Sequence, residues 1–382
     1  MTRRRACVFS TNFLEYSQTF VYDELRHHDR WDVSVICHSR KNEDRFPFDD
    51  VLVLDRPGVL GKLDGLLYKV TGNSPTALQW IKKRRFDLLH AHFGPASTYA
   101  LGPAALLDLP LVVTYHGYDV PFLMTNERMR PRYWRYWAMS RWMLRRVDRF
   151  LPASDELARM LIELGAPPER VHVWRLGVTI PPQWSPRPLH DAPRILMIGR
   201  FVEKKGFDIG IRAFARVATR CPGAVLQIIG DGPGRAALDA IVAEHSLGER
   251  VQFLGVMPHA EVFATLDRAD VLMAPSHVDK AGNRESGLLV IKEAAARGLP
   301  AVGTLHGGIP EIIDDGVTGF LVPERDIEAL ADRLGRLLED AELRQMMGIA
   351  ARAKMEREYD VAVRVRALED HYDAAVEERR RR

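Results

Sequence analysis

Residues 195–206 read ILMIGRFVEKKG. Four apolar residues without polar alternation are typical of a strand buried on both faces of a parallel sheet. The glycine, arginine and lysines that follow lie where this strand ends, and open α/β sheets bind their ligands at that edge. The segment therefore predicts a doubly wound α/β domain with a binding loop directly after its first strand.

Similar apolar runs recur on both sides of this segment, each separated from the next by enough chain for a helical crossover. In the second half they are 225–229, 251–254, 271–274 and 300–302. Helix-forming composition occupies 207–220, 235–245, 286–297 and the chain after Asp326. In the first half the apolar runs are 7–9, 33–36, 51–54, 88–90, 111–114 and 150–151. Strands alternating with helices in both halves predict two α/β domains.

The proline-rich stretch 181–188 predicts an extended linker, because proline removes backbone donors and fixes backbone angles. We therefore expect a Rossmann-like domain over 1–180, a linker over 181–193 and a second Rossmann-like domain over 194–364. The final helix, 365–382, either packs back on the first domain or ends as a frayed, solvated tail of four arginines.

The composition excludes several classes of protein. A net charge of +3, left by 54 basic and 51 acidic residues, argues for no nucleic-acid partner. The 3 cysteines stand far apart, so neither a disulfide framework nor a zinc site is indicated. The chain opens without the apolar core of a signal peptide and contains no run of about 20 apolar residues. We expect a cytoplasmic protein, at most peripheral at the inner face of the cytoplasmic membrane.

Two carboxylates flank the start of the helix predicted over 286–297. On helical geometry, Glu285 and Glu293 lie about 12 Å apart along the axis, near the span from ribose to hexose in a nucleoside diphosphate sugar. Between them the free amides of Gly287 and Leu288, at the positive end of the helix dipole, suit a pyrophosphate. The alternative is an ordinary capped amphipathic helix.

Cations after the first strand of the second half favour the ligand-binding interpretation. Arg200 and Lys205 leave the carboxyl end of that strand, where two positive charges can neutralise both phosphates of a diphosphate. Lys204 is interpreted as an ordinary surface lysine.

Together these motifs resemble glycosyltransferase family four. The matching set is Gly199-Arg200, Lys205-Gly206, 230–233 (GDGP), 253–255 (FLG), Pro275-Ser276, Glu285 with Glu293, and 307–311 (GGIPE). It covers most of the second half in the family's order. Through 199–206 and 306–311 the chain is most similar to bacterial exopolysaccharide enzymes of the colanic-acid and amylovoran type.

The resemblance implies a retaining enzyme with a GT-B fold, in which two Rossmann-like domains face each other across a cleft. The first domain would bind the acceptor and the second the nucleotide sugar. The implied roles are diphosphate binding for Arg200 and Lys205, ribose binding for Glu293, binding of the transferred sugar for Glu285, lining of the base pocket for Gly255, and donation of amides for Gly287 and Leu288.

In the first half, residues 111–119 (LVVTYHGYD) end a strand with His116, which matches the family's active-site histidine. We expect it to hydrogen-bond the donor sugar and orient the reacting groups, assisted by Asp119. His90 and His92 also end a strand, with both side chains on one face. A metal pair is conceivable there, but no third ligand is indicated, and an acceptor-facing loop is favoured.

The loop after the first strand departs from the family, because residues 10–20 contain no glycine where many relatives are glycine-rich. Ser17, Gln18 and Thr19 are candidates to replace its contacts with side-chain hydrogen bonds at a helix start.

The predicted reaction is transfer of a hexose-type sugar from a UDP- or GDP-sugar to the hydroxyl of a sugar or lipid-linked acceptor. No Asp-x-Asp pair occurs in the sequence, so we expect neither cofactor nor metal to be required. Arginines and aromatic residues alternate over 127–149, which indicates either an anionic membrane surface contact or a helix whose tryptophans pack on the first domain. The alternative functions are a nucleotide-sugar epimerase or hydrolase on the same fold, and a non-catalytic nucleotide-sugar-binding protein.

Overall fold

The computed structural model describes residues 3–15, 18–125, 133–190, 192–280, 282–285 and 288–381. The chain forms two compact units. The first holds the residues up to Gly177 together with those from Val361 onward, and the second runs from Val178 to Asp360.

The boundary between the units precedes the linker predicted over 181–193. The indole Nε1 of Trp184 donates to the carbonyl oxygen of Arg297 at 3.0 Å, and the Arg187 guanidinium donates to the carbonyl oxygen of Leu266 at 2.9 Å. The proline-rich stretch is therefore held along the second unit and is not a free connection.

The first unit contains a parallel six-stranded sheet. Its strands are β1 (Arg4–Phe13), β2 (Trp31–Arg40), β3 (Val51–Val53), β4 (Leu88–His92), β5 (Leu111–Tyr115) and β6 (Arg149–Pro152). They lie in the order β3-β2-β1-β4-β5-β6, which is the Rossmann order. All six predicted runs are confirmed as strands, and β4 and β5 are buried throughout. The order reverses between β1 and β4, so the loops after these strands border the usual binding crevice of such a sheet.

Helices follow most of these strands. They are α1 (Thr19–Arg26), α2 (Val59–Thr71), α3 (Pro75–Arg84), α4 (Gly94–Leu106), α5 (Pro121–Met124), α6 (Trp134–Arg146) and α7 (Asp155–Glu163). The Ser74 side chain caps α3 and that of Ser154 caps α7, each accepting from the amide three residues on.

The second unit repeats the architecture. Its strands are β7 (Arg194–Ile198), β8 (Val225–Ile229), β9 (Val251–Gly255), β10 (Val271–Ala274), β11 (Ala301–Thr304) and β12 (Gly319–Val322). All are parallel, in the order β12-β11-β10-β7-β8-β9, so the reversal falls between β7 and β10. Strand β12 is not among the predicted apolar runs, because it is short and opens on a glycine, a residue of weak strand propensity.

Helices of the second unit are α8 (Phe207–Ala218), α9 (Arg235–Glu244), α10 (His259–Leu266), α11 (Leu289–Ala295), α12 (Ile309–Ile312), α13 (Ile327–Glu339) and α14 (Ala341–Lys354). An apolar core between the sheet and its helices includes Phe214, Leu226 and Leu334. The chain after Asp326 is helical, as predicted, apart from breaks at Asp340 and Asp360.

The last helix, α15 (Val361–Arg381), belongs to the first unit. Its residues Leu368 and Tyr372 are buried, and Glu369 accepts from the backbone amides of Asp29 and Arg30 at 2.9 and 3.0 Å. Of the two expected arrangements, the helix therefore has the one in which it packs back on the first unit. None of the helices in the described part of the chain is long and apolar enough to cross a bilayer.

Candidate active site

The loop after β7 brings two lysines to the edge of the second sheet. A short 3-10 turn spans Glu203–Lys205 and ends at Gly206, whose φ is +64°. A Cβ at Gly206 would collide with the carbonyl oxygen of Pro275, at the end of the neighbouring strand β10. Only glycine allows this conformation and this approach, so Gly206 sets the position of the turn beside β10.

Glu285 accepts from both lysines of that turn. The Nζ atom of Lys204 lies 2.7 Å from Oε1 of Glu285, and the Nζ atom of Lys205 lies 2.9 Å from Oε2. Burial alone would raise the pKa of Glu285, but the charges of Lys205 and Lys204 hold it below its ordinary value. The interpretation of Lys204 as a surface lysine is wrong, because its ammonium is partly buried and also donates to the Arg284 carbonyl.

Arg200 lies on the same loop and is exposed. Within the described ranges its guanidinium has neither a hydrogen-bond nor an ion-pair partner. Three cations therefore lie together at this edge, and two of them pair with Glu285. Clustered basic side chains suit the binding of a diphosphate.

Glu285 is also held through its backbone. Its amide donates to Nε2 of His306 at 3.0 Å, and Nδ1 of that buried ring lies 2.8 Å from Oε1 of Glu324. The carboxylate of Glu324 accepts from Val278 as well. His306 stands in the sequence only as part of the 306–311 motif, and no sequence signal indicates Glu324, which lies just beyond the unpredicted strand β12.

Glu293 lies on α11 and is mostly buried. Its Oε1 atom is 3.4 Å from Nε2 of His259 at the start of α10, a neighbour that sequence analysis did not identify. Leu288 has a φ of +43° and precedes the helix, which begins at Leu289. Because Glu285 lies in the loop before α11, the helical estimate of its separation from Glu293 does not apply. Gly287 is outside the described residues, so its amide contact stays a prediction.

Gly255 ends β9 with a φ of +73°, and its carbonyl accepts from Gly230 at 2.9 Å. It lies at the same edge of the sheet as the β7 loop, since parallel strands end together. A role in a base pocket stays a prediction.

In the first unit, His116 follows β5 and is almost buried between the rings of Phe20 and Phe93. Asp119 is completely buried, and burial raises its pKa to about 6. Its two carboxylate oxygens accept from the amides of Gly94 and Gly117 at 3.0 Å each. Asp119 therefore holds the loop of His116 against α4, and its assistance to His116 in binding the donor sugar stays a prediction.

His90 and His92 are likewise completely buried, so neither forms the acceptor-facing loop that we expected. His92 instead lies 3.2 Å from Nε2 of His116 through its Nδ1 atom. On its other side, Nε2 of His92 lies 3.2 Å from the carboxylate of Glu24 on α1. Glu24 is the third polar group that the sequence did not indicate.

The loop before α1 is only partly described. Ser17 lies outside the described residues. Gln18 stands at the helix start, but its side chain accepts from the amide of Leu14 at 3.2 Å and does not cap the helix. Thr19 is the first residue of α1. Gln18 therefore makes a side-chain hydrogen bond at the helix start without capping the helix, and the replacement of the loop's contacts by these side chains stays a prediction.

One alternative for 127–149 was a helix whose tryptophans pack on the first domain. In the structure the tryptophans of α6 do not do so. Tyr136 and Met143 fill that role, while Trp134, Trp137 and Trp142 are exposed. Arg135 reaches inward, where it lies over the ring of Tyr99 and donates to the Thr98 carbonyl at 3.0 Å.

Each of the two units is doubly wound around a parallel sheet, and cations and carboxylates lie at the edge of the second sheet. These features define the class of GT-B glycosyltransferases. Residues 17–181 match the family described as Glycosyltransferase Family 4, and residues 183–354 match that described as Glycosyl transferases group 1. The chain belongs to glycosyltransferase family four, and it is an enzyme of that class.

Two bacterial exopolysaccharide proteins are among its similar relatives. The chain is 34% identical to WcaL of Escherichia coli (strain K12), named for colanic acid biosynthesis, over 74% of this chain and 70% of that protein. It is 33% identical to the amylovoran biosynthesis glycosyltransferase AmsK of Erwinia amylovora, over 74% and 69%. The crystal structure of Anabaena HepE in complex with UDP shares the fold, with a TM-score of 0.77 over 98% of this chain and 100% of that chain at 19% identity.

Proposed function

We propose that this enzyme transfers a hexose-type sugar from a nucleoside diphosphate sugar to an acceptor hydroxyl, with retention of anomeric configuration and without a metal. The observation that carries the proposal is the pair Lys204 and Lys205 on Glu285, beside the exposed Arg200, at the reversal of strand order in the second sheet. Open α/β sheets bind ligands at that point.

The donor's diphosphate lies against Arg200 and Lys205, whose charges stabilise the leaving group as its bond to the sugar breaks. Glu293 accepts from the ribose hydroxyls, and Glu285 accepts from hydroxyls of the transferred sugar. Because Glu285 stays ionised beside two ammonium groups, it can accept hydrogen bonds at neutral pH.

In this reaction the acceptor hydroxyl attacks the anomeric carbon from the face that the diphosphate leaves. The departing phosphate takes the acceptor's proton, so no enzyme nucleophile is used, and His116 orients the donor sugar. The enzyme's own cations take the place of a metal. We expect full activity after dialysis against EDTA. We also expect NMR to show that the product keeps the donor's anomeric configuration, and an inverted product would exclude this mechanism.

A thermal-shift screen tests the donor site. UDP-, GDP- and ADP-sugars are added to the protein and to its Lys205→Ala and Glu293→Ala variants, because a ligand that binds only the folded state raises Tm. HepE has been crystallised with UDP, which makes UDP-sugars the first to try. Lys82→Ala and Glu342→Ala, at exposed positions of α3 and α14, are the matched controls.

We expect one nucleotide to raise the Tm of the protein and of both controls, and to have no effect on the two site variants. Stabilisation that persists in Lys205→Ala and Glu293→Ala would contradict the donor site. The products are then analysed after incubation with the stabilising donor and an acceptor. Release of the free sugar would favour the hydrolase alternative, and isomerisation of the donor would favour the epimerase alternative.

The acceptor is proposed to be a sugar or a lipid-linked sugar presented at an anionic membrane surface in exopolysaccharide or glycolipid synthesis. Helix α2 exposes a stripe of six apolar side chains, namely Val59, Leu60, Leu63, Leu66, Leu67 and Val70. Arg135 of α6 donates to the Val70 carbonyl at 3.2 Å, so the end of α2 is a neighbour of α6, which carries exposed tryptophans. Exposed cations, Lys62, Lys69, Arg141 and Arg145, accompany both helices. Such a surface suits the interface of an anionic bilayer.

A further inference from the structure

A group of buried polar side chains lies behind His116 in the first unit. Glu24 comes from α1, His92 ends β4, and Thr114 lies on β5 two residues before His116. Glu24 is buried, with 2% of its surface exposed. Within the described part of the chain, neither oxygen of its carboxylate has a well-formed hydrogen bond. A buried carboxylate without a partner is costly, so its retention calls for a physical explanation.

We propose that Glu24 and His92 form a relay that holds His116 in one tautomer and stabilises its protonated form. Glu24 and His92 are positioning residues, since they act through His116. The inference rests on the proposed contact between His116 and the donor sugar.

The contacts of Thr114 set the direction of the relay. Its hydroxyl lies 3.1 Å from Nδ1 of His92 and 3.5 Å from the Ala91 carbonyl oxygen. When it donates to either of them, Oγ1 is left to accept from Nε2 of His90 at 3.1 Å and from Nε2 of His116 at 3.0 Å. Both rings therefore carry their proton on Nε2. The proton on His116 also points at Nδ1 of His92, 3.2 Å away.

His92 must then be an acceptor at Nδ1 and a donor at Nε2. Its Nε2 atom faces Oε1 of Glu24 at 3.2 Å, and this contact is too bent for a good hydrogen bond. Catalytic hydrogen bonds are often long without substrate and tighten in the complex. The relay thus runs from the carboxylate of Glu24 through the imidazole of His92 to that of His116, and Nδ1 of His116 carries no proton and can accept a hydrogen bond.

A metal ion on Glu24, His90 and His92 is the competing explanation, because their ligand atoms lie within 4.8 Å of one another. Both nitrogens of His90 are already engaged, however. Nδ1 lies 2.6 Å from the Tyr372 hydroxyl, and Nε2 contacts Thr114. Only Glu24 and His92 then remain as ligands, which is too few for a buried site.

Protonation of His116 gives the relay its electrostatic effect. A positive charge on that ring is stabilised by the Glu24 carboxylate through the polarised ring of His92, as a carboxylate stabilises an imidazolium in hydrolase triads. The titratable groups that surround the relay are His28, His90, Asp119 and Tyr372. Burial and neighbouring imidazoles lower the pKa of His90, so that ring contributes no positive charge near neutral pH.

The test uses the full-length Glu24→Gln and His92→Asn variants with a stabilising nucleotide sugar. We expect kcat to fall about 10- to 100-fold, with the KM for the donor within about 2-fold, because the donor's nucleotide contacts lie in the second unit. The acidic limb of the pH profile of kcat/KM should move down by about 1 pH unit in Glu24→Gln, because protonated His116 loses its counter-charge. Glu24→Asp should restore part of kcat.

Tyr372→Phe is the matched control, since it alters a buried hydroxyl of the same cluster that is not in the relay. Its kcat and pH profile should match those of the parent. Nitrogen-15 NMR of labelled histidines should show His92 and His116 protonated on Nε2. This readout does not depend on activity, so it keeps the relay testable if a variant folds poorly.

Three results would overturn the relay. They are an Nδ1-protonated His92, an unchanged pH profile in Glu24→Gln, and one bound metal per chain that is lost in that variant. Failure of the proposed function is distinguishable, because His116→Ala would then keep full kcat or no nucleotide sugar would raise Tm.

Discussion

The backbone amide of Glu285 donates to Nε2 of His306 at 3.0 Å. Since Nε2 accepts, the proton of this buried imidazole lies on Nδ1, where it faces Glu324 at 2.8 Å. Glu324 thus determines the tautomer of His306, and His306 determines where the chain presents Glu285. Support of this kind, one layer behind the contacting group, positions a side chain more narrowly than a flexible loop can.

Replacing His306 by alanine should reduce kcat/KM about 10- to 100-fold. The variant removes the hydrogen-bond partner of the Glu285 amide and one partner of the partly buried Glu324 carboxylate, a loss of about 1–3 kcal/mol, and frees Glu285 from its position. Steady-state kinetics with the stabilising donor measure the effect. His245→Ala is the matched control, because His245 contacts Arg212 at the end of α9. Equal kcat/KM in the two variants would show that His306 has no part in placing Glu285.

Gly206→Ala should destabilise the protein more than Gly248→Ala does. Both glycines have positive φ, +64° and +45°, so both substitutions carry the cost of that conformation, about 1 kcal/mol. Only the alanine at 206 would also collide with the backbone at Pro275, whereas nothing lies within 4 Å at 248. We expect about 2–4 kcal/mol for Gly206→Ala and about 1 kcal/mol for Gly248→Ala, measured by urea unfolding. Equal losses would mean that the turn shifts freely away from β10.

The sequence predicted the sheets better than the contacts at their edges. Eleven of the twelve strands follow from continuous apolar runs, because burial on both faces leaves a strong signal in the sequence. The association of Lys205 with Glu285 joins residues 80 positions apart, that of Lys204 with Glu285 spans one position more, and no local pattern encodes either of them. The contact of Glu24 with His92 cannot be predicted from the sequence for the same reason. The helix of Glu24 has an amphipathic pattern, and only the tertiary fold places that carboxylate beside His92.

Glu369 should make the attachment of α15 sensitive to acid. Although burial opposes ionisation, hydrogen bonds from His28 and from the amides of Asp29 and Arg30 lower its pKa from 4.5 to about 2. A depressed pKa in the folded state stabilises the protein at any pH above the unfolded value and ceases to do so as pH falls through the folded value. The stabilisation by Glu369 is therefore full above about pH 5 and declines toward pH 2.

Glu369→Gln should thus be less stable than the parent at pH 7 by about 1–3 kcal/mol, because a neutral amide replaces a carboxylate that accepts several hydrogen bonds. The difference should narrow between pH 4.5 and 2. Chemical unfolding at pH 7, 5, 4 and 3 measures it. Glu377→Gln, at an exposed position on the same helix, is the control and should follow the parent at each pH. A difference that is constant with pH would show that the contribution of Glu369 does not depend on its charge.

Apolar substitution on α2 and α6 should decide whether the first unit binds membranes. Leu63 and Trp137 are 57% and 48% exposed, and each contributes about 2 kcal/mol when it is fully inserted among lipids. The double variant Leu63→Ser with Trp137→Ser should therefore co-sediment with phosphatidylglycerol vesicles at least about 10-fold less than the parent. Met346→Ser, which removes a 60% exposed apolar side chain from the second unit, should bind as the parent does. Binding should weaken with salt because Lys62 and Lys69 face the anionic headgroups. If the parent fails to bind at low salt, the apolar stripe needs another occupant, and the acceptor must reach the enzyme from solution.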